Sequence, residues 1–219
     1  MNSTTRISAM HPMLQIAEAK FAVDYQRDYF ADHYLKVTTA YRSSADQFKA
    51  FQEGRSKVLC GNHNTYPSFA IDFTVFDTKG TPTKIQDDKP TWENKYYTPL
   101  GKLAEKYGVF WGGNYKGFFD GPHIEIPSGL IAVEYQMLLK IQGLYAGALD
   151  GMFGKKSLAA LSEYCKRNKL NPNASHNVYG VPWNNSDTWT HLWTKVFGAD
   201  ESQWVAKWKA ARAQFGLPA

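Results

Sequence analysis

Cysteine is scarce in this sequence: only Cys60 and Cys165 occur in 219 residues. They lie far apart, and neither belongs to a Cys-x-x-Cys pair. Their scarcity excludes a disulfide framework, and the missing pair excludes a cysteine-type structural zinc site. A single bridge between the two cysteines stays open as an alternative.

Long apolar runs are also missing. No stretch approaches the roughly 18 consecutive apolar residues that a membrane-spanning helix requires. The first fifteen residues contain an arginine but no apolar segment of the kind found in secretion signals. We therefore expect neither a transmembrane helix nor a signal peptide.

Basic residues outnumber acidic ones, 25 to 20, which gives a formal net charge of +5. This balance favours polyanionic surroundings such as nucleic acid, anionic lipid or an anionic cell wall. Aromatic residues are frequent at 15%. The length allows either one large domain or two small ones, each with a buried core.

The pattern of apolar residues predicts an α+β arrangement in the first part of the chain. A helix is expected at 11–29, and a second helix, capped by Ser43 or Ser44, is expected to end near residue 54. A third helix, 97–107, should end at Gly108. The predicted strands are 34–41, 69–76, 109–111 and 123–126. The polar, Pro- and Gly-rich segment 79–91 is predicted to be a surface loop.

The composition changes at residues 127–129, Pro-Ser-Gly, and helical spacing dominates afterwards. Helices are expected at 130–141, 157–166 and 201–215. We therefore divide the chain into a domain at 1–127, a helical domain at 128–198 and a basic amphipathic helix at 199–219.

Two stretches carry the residues of a candidate metal site. His63 is followed nine positions later by Asp72, inside an apolar predicted strand. His123 has Asp120 three residues before it and Glu125 two residues after it. Two imidazoles and a carboxylate are what a catalytic zinc site needs, since such a site leaves a fourth position for water. On spacing alone, ordinary packed histidines are an equal alternative.

The order of several short motifs resembles the M15 peptidases, in particular the phage-endolysin branch that cleaves the L-alanyl–D-glutamate bond of peptidoglycan stem peptides. The resemblance covers about residues 10–127. The motifs that carry this resemblance are His11-Pro12 and the segments at residues 40–47, 54–56, 63–72, 111–113 and 120–123. The sequence departs from the common family pattern at Gly61, where a serine is usual, and in a His63-to-Asp72 spacing that is longer by two.

This resemblance implies a small antiparallel-sheet zinc peptidase core of the M15/Hedgehog-like type. It also implies that Zn²⁺ is held by His63, Asp72 and His123, and that Asp120 is the general base. Glu125 is the alternative base, or else a partner for an imidazole N–H.

Four further residues are candidates for substrate binding. The resemblance implies that Arg42 contacts the substrate or stabilises the oxyanion. Gln47 is predicted to orient Arg42 or to contact substrate, with a solvent-facing position as the alternative. Ser68 is a candidate contact. Trp111 is predicted to shape the floor of the cleft, or to be an ordinary buried aromatic beside a turn.

Residues 130–197 resemble a small three-helix peptidoglycan-binding domain, through Gln136, Gly143 and the loop 149–154. Tyr145, Phe153 and Trp183 are candidates for stacking on glycan, with core packing as the alternative.

The tail helix carries Trp204 and Trp208 among basic residues. It is expected either to pack its tryptophan face on the preceding domain or to bind an anionic membrane surface. Nucleic acid is not expected as a partner, because no readout motif accompanies the charge.

Together these features predict a monomeric endolysin that hydrolyses peptidoglycan, most simply at L-Ala–D-Glu. The alternatives are a D,D-carboxypeptidase acting on D-Ala-D-Ala and a non-catalytic cell-wall-binding virion protein. An endolysin would be made in the host cytoplasm and would act in the periplasm or cell wall after release.

Overall fold

The computed structural model describes residues 4–78, 88–171 and 186–218. Most of the predicted loop 79–91 lies outside these residues, as does Trp183. Strands are confined to the first part of the described chain, and helices alone follow residue 127.

A small antiparallel sheet forms the centre of the first part, as the sequence predicted. The strands are β1 (His33–Thr39), β2 (Ala70–Asp77), β3 (Lys89–Thr91), β4 (Phe110–Trp111) and β5 (His123–Glu125). The central strand, β2, pairs with β1, and it pairs with β5 and β3 at different positions along its length. The short strand β4 continues the sheet beyond β5.

Four helices accompany the sheet: α1 (Pro12–Asp28), α2 (Ser44–Gln52), α3 (Asn94–Tyr97) and α4 (Pro99–Tyr107). α1 packs on the sheet, where Phe21 stacks on Phe73. Ser43 caps α2 by accepting from the backbone N–H of Asp46. The predicted helix at 97–107 instead begins at Pro99, whose ring fits the first turn of a helix, and ends at Gly108 in the left-handed conformation.

The helices after residue 127 are α5 (Ser128–Ile141), α6 (Lys155–Arg167), α7 (Ser186–Phe197) and α8 (Trp204–Gln214). α5 is buried over most of its surface, which agrees with its nearly continuous apolar sequence. Tyr145 is buried with its hydroxyl donating to Ala148 O, and the Phe153 ring packs edge-on against Tyr135. Both aromatics therefore take the core-packing alternative.

The two parts of the chain share one hydrophobic core. Trp189 of α7 packs on Phe69 with ring centroids 4.4 Å apart, and its Nε1 donates to Pro67 O at 3.1 Å. The His11 ring, at the start of α1, lies against Trp193 and Trp208. The division of function at residue 127 stays a prediction, but the helices beyond it are packed directly onto the sheet domain.

The tail helix packs its tryptophans inward. Trp204 is 0% exposed and Trp208 is 2% exposed. The tail helix therefore packs its tryptophan face on the rest of the protein, which is the first of its two predicted arrangements. In this conformation neither tryptophan is available to a membrane surface, so the membrane-binding alternative for this face is not supported.

The two cysteines are not joined by a bridge. Cys60 is partly buried and Cys165 is buried, and both are free thiols.

Within the described part of the chain, no helix combines the length and the apolarity needed to cross a membrane.

A buried charge cluster ties α5 to α8. The carboxylate of Glu134 accepts from Arg212 Nη1 and, at 3.0 Å, from Trp208 Nε1. Burial raises the pKa of Glu134, but the neighbouring His11 and Arg212 outweigh that effect and hold it below its ordinary value. These neighbours favour the ionised form of Glu134, and Arg212 is its permanently charged partner.

Replacing Arg212 with Met should lower the free energy of unfolding by about 3 kcal/mol, because the buried carboxylate of Glu134 would lose its permanently charged partner. Urea denaturation would measure this change. Lys209→Met, an exposed site on the same helix, is the matched control. Equal stability of the two variants would show that Glu134 does not need its partner.

Candidate metal centre and active site

The register between β2 and β5 brings two of the predicted ligands together. Asp72 of β2 lies directly opposite His123 of β5 in the antiparallel pairing. Side chains of directly opposed residues project on the same face of a sheet, with Cβ atoms about 5 Å apart. The carboxylate and the imidazole therefore meet without any contribution from loops.

His63 reaches the same point from a single 3-10 turn, Asn62–Asn64. Its backbone carbonyl accepts from Arg42 N at 2.8 Å, and Asn64 Nδ2 donates to Arg42 O at 2.8 Å. The turn is thus fastened to the chain just after β1, and the His63 ring is buried beneath it.

The three donor atoms converge. Asp72 Oδ1 lies 3.1 Å from His63 Nε2 and 3.1 Å from His123 Nδ1, and the two nitrogens are 3.3 Å apart. The remaining ring nitrogens are anchored: His63 Nδ1 to Ala40 O at 3.0 Å, and His123 Nε2 to Glu125 Oε2 at 3.2 Å. Since carbonyl and carboxylate oxygens only accept, the anchored nitrogens carry the hydrogens and the converging ones can bind a metal.

This arrangement fits a zinc ion. Ligands at about 2.0–2.1 Å around a tetrahedral zinc lie roughly 3.3 Å from one another, which is close to the spacing observed here. His63, Asp72 and His123 are the group that can hold a metal within the described part of the chain. Two imidazoles and one carboxylate match the donor sets of catalytic zinc sites, and they leave one position for water or substrate.

The carboxylate and the two imidazoles shift one another's pKa values. Burial raises the pKa of Asp72, but the imidazoles of His63 and His123 outweigh it and hold the pKa well below its usual range. Burial lowers the pKa of His123, whereas its bonds to Asp72 and Glu125 raise it, to about 10. These bonds favour the protonated imidazole, so a metal that binds Nδ1 would compete with a proton there.

Asp120 lies beside this cluster on the loop between β4 and β5. Its backbone N–H donates to Gly112 O at 3.2 Å, and its carbonyl accepts from His123 N at 3.3 Å. Burial raises the pKa of its carboxyl group, with a further rise from the negative charge of Asp72, against the opposing effect of nearby cations. Within the described residues its carboxylate makes no hydrogen bond, which leaves it able to exchange a proton.

The loop that carries Asp120 depends on a close approach at Gly112. A Cβ atom at this position would lie 2.6 Å from Asp120 O and 2.8 Å from His123 Cβ. Only glycine lets the backbone pass this close. Gly112 therefore sets the distance between the candidate base and a metal ligand.

Arg42 is held from two sides. Its Nη2 donates to Asp72 Oδ2 at 3.3 Å and its Nη1 to Gln47 Oε1 at 3.1 Å. Gln47 is buried and donates in turn to Ser56 Oγ and Val58 O. Gln47 thus contacts Arg42, as one of its predicted roles requires, and it also lines the cavity, so its contact with substrate stays a prediction. The solvent-facing alternative is wrong.

Ser68 and Trp111 do not line the cavity. Ser68 is fully buried, and its hydroxyl donates to Ala70 O at 2.7 Å. The prediction that Ser68 contacts substrate is therefore not supported, because the side chain is used to order the start of β2. Trp111 takes the buried alternative and donates from Nε1 to Gly121 O at 2.7 Å.

Glu125 accepts from the ring N–H of His123 and also lines the cavity. Burial raises its pKa, but the imidazole of His123 outweighs that effect and lowers it. Asn62 Nδ2 also donates to Glu125 Oε2, at 2.7 Å. The sequence offered no signal for Asn62 beyond its place next to His63. The predicted contact of Glu125 with an imidazole N–H is thus present, and the alternative that Glu125 is the base stays a prediction.

The candidate site opens into a cavity of about 840 Å³. Its lining includes His63, Asp72, Asp120 and His123 at one end, and Arg42 and Gln47 close by. This size suits a small-molecule or peptide ligand.

Residues 60–126 match the profile of a peptidase M15 family described as D-alanyl-D-alanine carboxypeptidase. The matched segment contains His63, Asp72, Asp120 and His123. Among solved structures, the crystal structure of Serratia marcescens L-Ala D-Glu endopeptidase ChiX is similar, with 21% sequence identity and a TM-score of 0.41. That match covers 55% of this chain and 83% of the other.

Replacing Gly112 with Ala should lower the zinc affinity about tenfold, because the added methyl group must push His123 or Asp120 aside, and disturbing the support of a ligand has an effect of this size. Competition with a chromogenic chelator would measure the affinity. Gly129→Ala, where a Cβ meets nothing within 4 Å, is the control. Wild-type affinity in Gly112→Ala would show that this close approach does not position the ligand.

Proposed function

We propose that this chain, a member of the M15 peptidases in residues 60–126, is a zinc-dependent peptidoglycan hydrolase that cleaves an amide bond of the stem peptide. The convergence of His63, Asp72 and His123 beside the unpaired carboxylate of Asp120 carries this proposal. Metal ligands alone would suit a structural site. A protonatable acid at the edge of the same cavity suits hydrolysis.

When bound, zinc acidifies the attacking water and polarises the amide carbonyl. The other functions belong to the protein. Asp120 accepts the proton from the water and returns it to the leaving amine, a role suited by a carboxyl pKa raised by burial. Glu125 holds the His123 ring so that Nδ1 stays directed at the metal position.

Arg42 is placed to bind negative charge. Its guanidinium lines the cavity and is fixed by Gln47 and Asp72, so little side-chain freedom is lost when it binds. We assign it to the oxyanion that develops during attack or to a carboxylate of the substrate.

For the bond cleaved, we propose L-Ala–D-Glu. The support is the sequence resemblance to the endolysin branch, whose motifs at 40–47 and 54–56 lie outside the matched segment 60–126. Arg42, Gln47, Arg55 and Ser56 from these motifs all line the cavity. A D,D-carboxypeptidase is the second candidate, because that is the description of the matching family.

The biological setting is proposed from the same resemblance. An endolysin would be made in the host cytoplasm, act on the cell wall after release, and work as a monomer. A non-catalytic virion protein is the weaker alternative, since such a protein has no need of an acid placed like Asp120.

Mass spectrometry of purified peptidoglycan digested by the zinc-loaded protein tests the function. We expect products with a new N-terminal D-Glu, and we expect them to disappear when a chelator removes the metal. Release of D-Ala alone would identify a carboxypeptidase instead. The absence of any product would contradict the hydrolase proposal.

Asp120→Asn should keep stoichiometric zinc and lose at least about 100-fold in turnover, because an amide cannot accept the proton. Zinc content and the rate of muropeptide cleavage would be measured on the same preparation. Glu125→Gln is the companion variant. An active Asp120→Asn enzyme with an inactive Glu125→Gln enzyme would transfer the base role to Glu125.

A further inference from the structure

Large aromatic side chains stand exposed around the cavity. Trp92 is 64% exposed, and Phe118 and Phe119 are each 46% exposed, yet all three line the cavity. Keeping such rings in water is unfavourable, and a cluster of exposed apolar side chains beside a cleft is typical of a ligand-binding surface. We call these three residues the aromatic rim.

One part of the rim, Trp92 and Phe119, is connected through packed rings to the loop of the candidate base Asp120. Phe119 and Tyr97 both pack against Gly121, where an added Cβ would lie 2.8 Å from the Phe119 ring and 3.0 Å from Tyr97 Cβ. The ring of Trp92 lies nearly parallel to that of Tyr97, with centroids 6.4 Å apart. Phe119 thus packs against the residue that directly follows Asp120, and Trp92 stacks on Tyr97, which packs against the same residue.

The other part of the rim, Phe118, is connected through the Tyr115 ring to the candidate metal ligand His123. The Tyr115 ring lies 5.8 Å from the His123 ring, and Phe118 stacks on Tyr115 at 4.9 Å with an angle of 24°. Phe118 is therefore two ring contacts from the candidate metal position. An extended peptide advances about 3.5 Å per residue, so a group one or two residues from the scissile bond can reach it.

The substrate class carries a group suited to such a surface. Peptidoglycan stem peptides are joined to a muramyl sugar, and the C–H face of a pyranose ring is apolar and packs flat on aromatic rings. The sugar lies one residue from the L-Ala–D-Glu bond but four residues from the terminal D-Ala bond. An aromatic surface this close to the reacting groups can reach the sugar only when the bond nearer to it is cleaved.

We propose that the aromatic rim of Trp92, Phe118 and Phe119 is a saccharide subsite that holds the glycan end of the substrate, so that the enzyme prefers glycan-linked stem peptides to free ones. This inference rests on the proposed function and deepens it. The enzyme would then select the bond that it cleaves because the aromatic rim recognises the sugar.

The test compares two substrates that differ only in the sugar. One is the disaccharide-linked stem peptide, and the other is the same peptide with an N-lactoyl group in place of the muramyl unit. The ratio of their kcat/KM values isolates the sugar. We expect the wild-type enzyme to prefer the glycan-linked substrate by about tenfold or more, the combined effect of two or three stacking contacts.

Variants locate the effect. Trp92→Ala and Phe118→Ala should each lower the ratio of the two kcat/KM values several-fold. Trp92→Tyr, which keeps an aromatic ring, should retain most of the preference for the glycan-linked substrate. Phe48→Ala is the control, since Phe48 is 52% exposed on α2 but does not line the cavity.

The possible failures are distinct. Equal cleavage of both substrates by the wild-type enzyme would overturn the saccharide subsite and leave the peptidase intact. An equal loss on both substrates in the rim variants would also overturn it, since the rings would then serve the peptide or the fold. Failure to cleave either substrate at L-Ala–D-Glu would remove the proposed bond and the subsite with it.

Discussion

The antiparallel register between β2 and β5 is the constraint on which the site depends. It sets Asp72 opposite His123, and a shift of one residue would turn one of them to the other face of the sheet. The remaining parts are fitted to this pair. His63 is delivered by a turn fastened beside β1, and Gly112 lets the next loop approach closely enough to carry Asp120 alongside. The candidate site is thus built on strand pairing, and the loops complete it.

Two carboxylates in one small space suit different roles because their surroundings differ. Burial raises the pKa of Asp72, but the imidazoles of His63 and His123 outweigh that effect and hold the pKa well below its usual range. The carboxylate of Asp120 makes no hydrogen bond within the described part of the chain, and burial raises its pKa. Environments that separate the pKa values of neighbouring acids are typical of sites where one acid transfers protons and the other stabilises charge.

Local sequence patterns predicted most of the strands and the end of α4 at Gly108, because strand alternation and helix stop signals are local properties. Spacing alone left the trio of His63, Asp72 and His123 at even odds with ordinary packed histidines. The trio and the antiparallel sheet were predicted from the resemblance of the motifs to the M15 peptidases. Long-range contacts were out of reach. No local sequence pattern indicates that the Ala40 carbonyl accepts from the His63 ring or that Ser68 is fully buried. Nor does any local pattern show that the helices after residue 127 pack onto the sheet.

A crystal of the zinc-loaded protein, measured on both sides of the zinc absorption edge, tests the central claim most directly. The account predicts one strong anomalous peak bounded by His63 Nε2, Asp72 Oδ1 and His123 Nδ1, with Asp120 beside it but not bound to the metal. A protein that loads no zinc there, or that binds it through other side chains, would contradict the account.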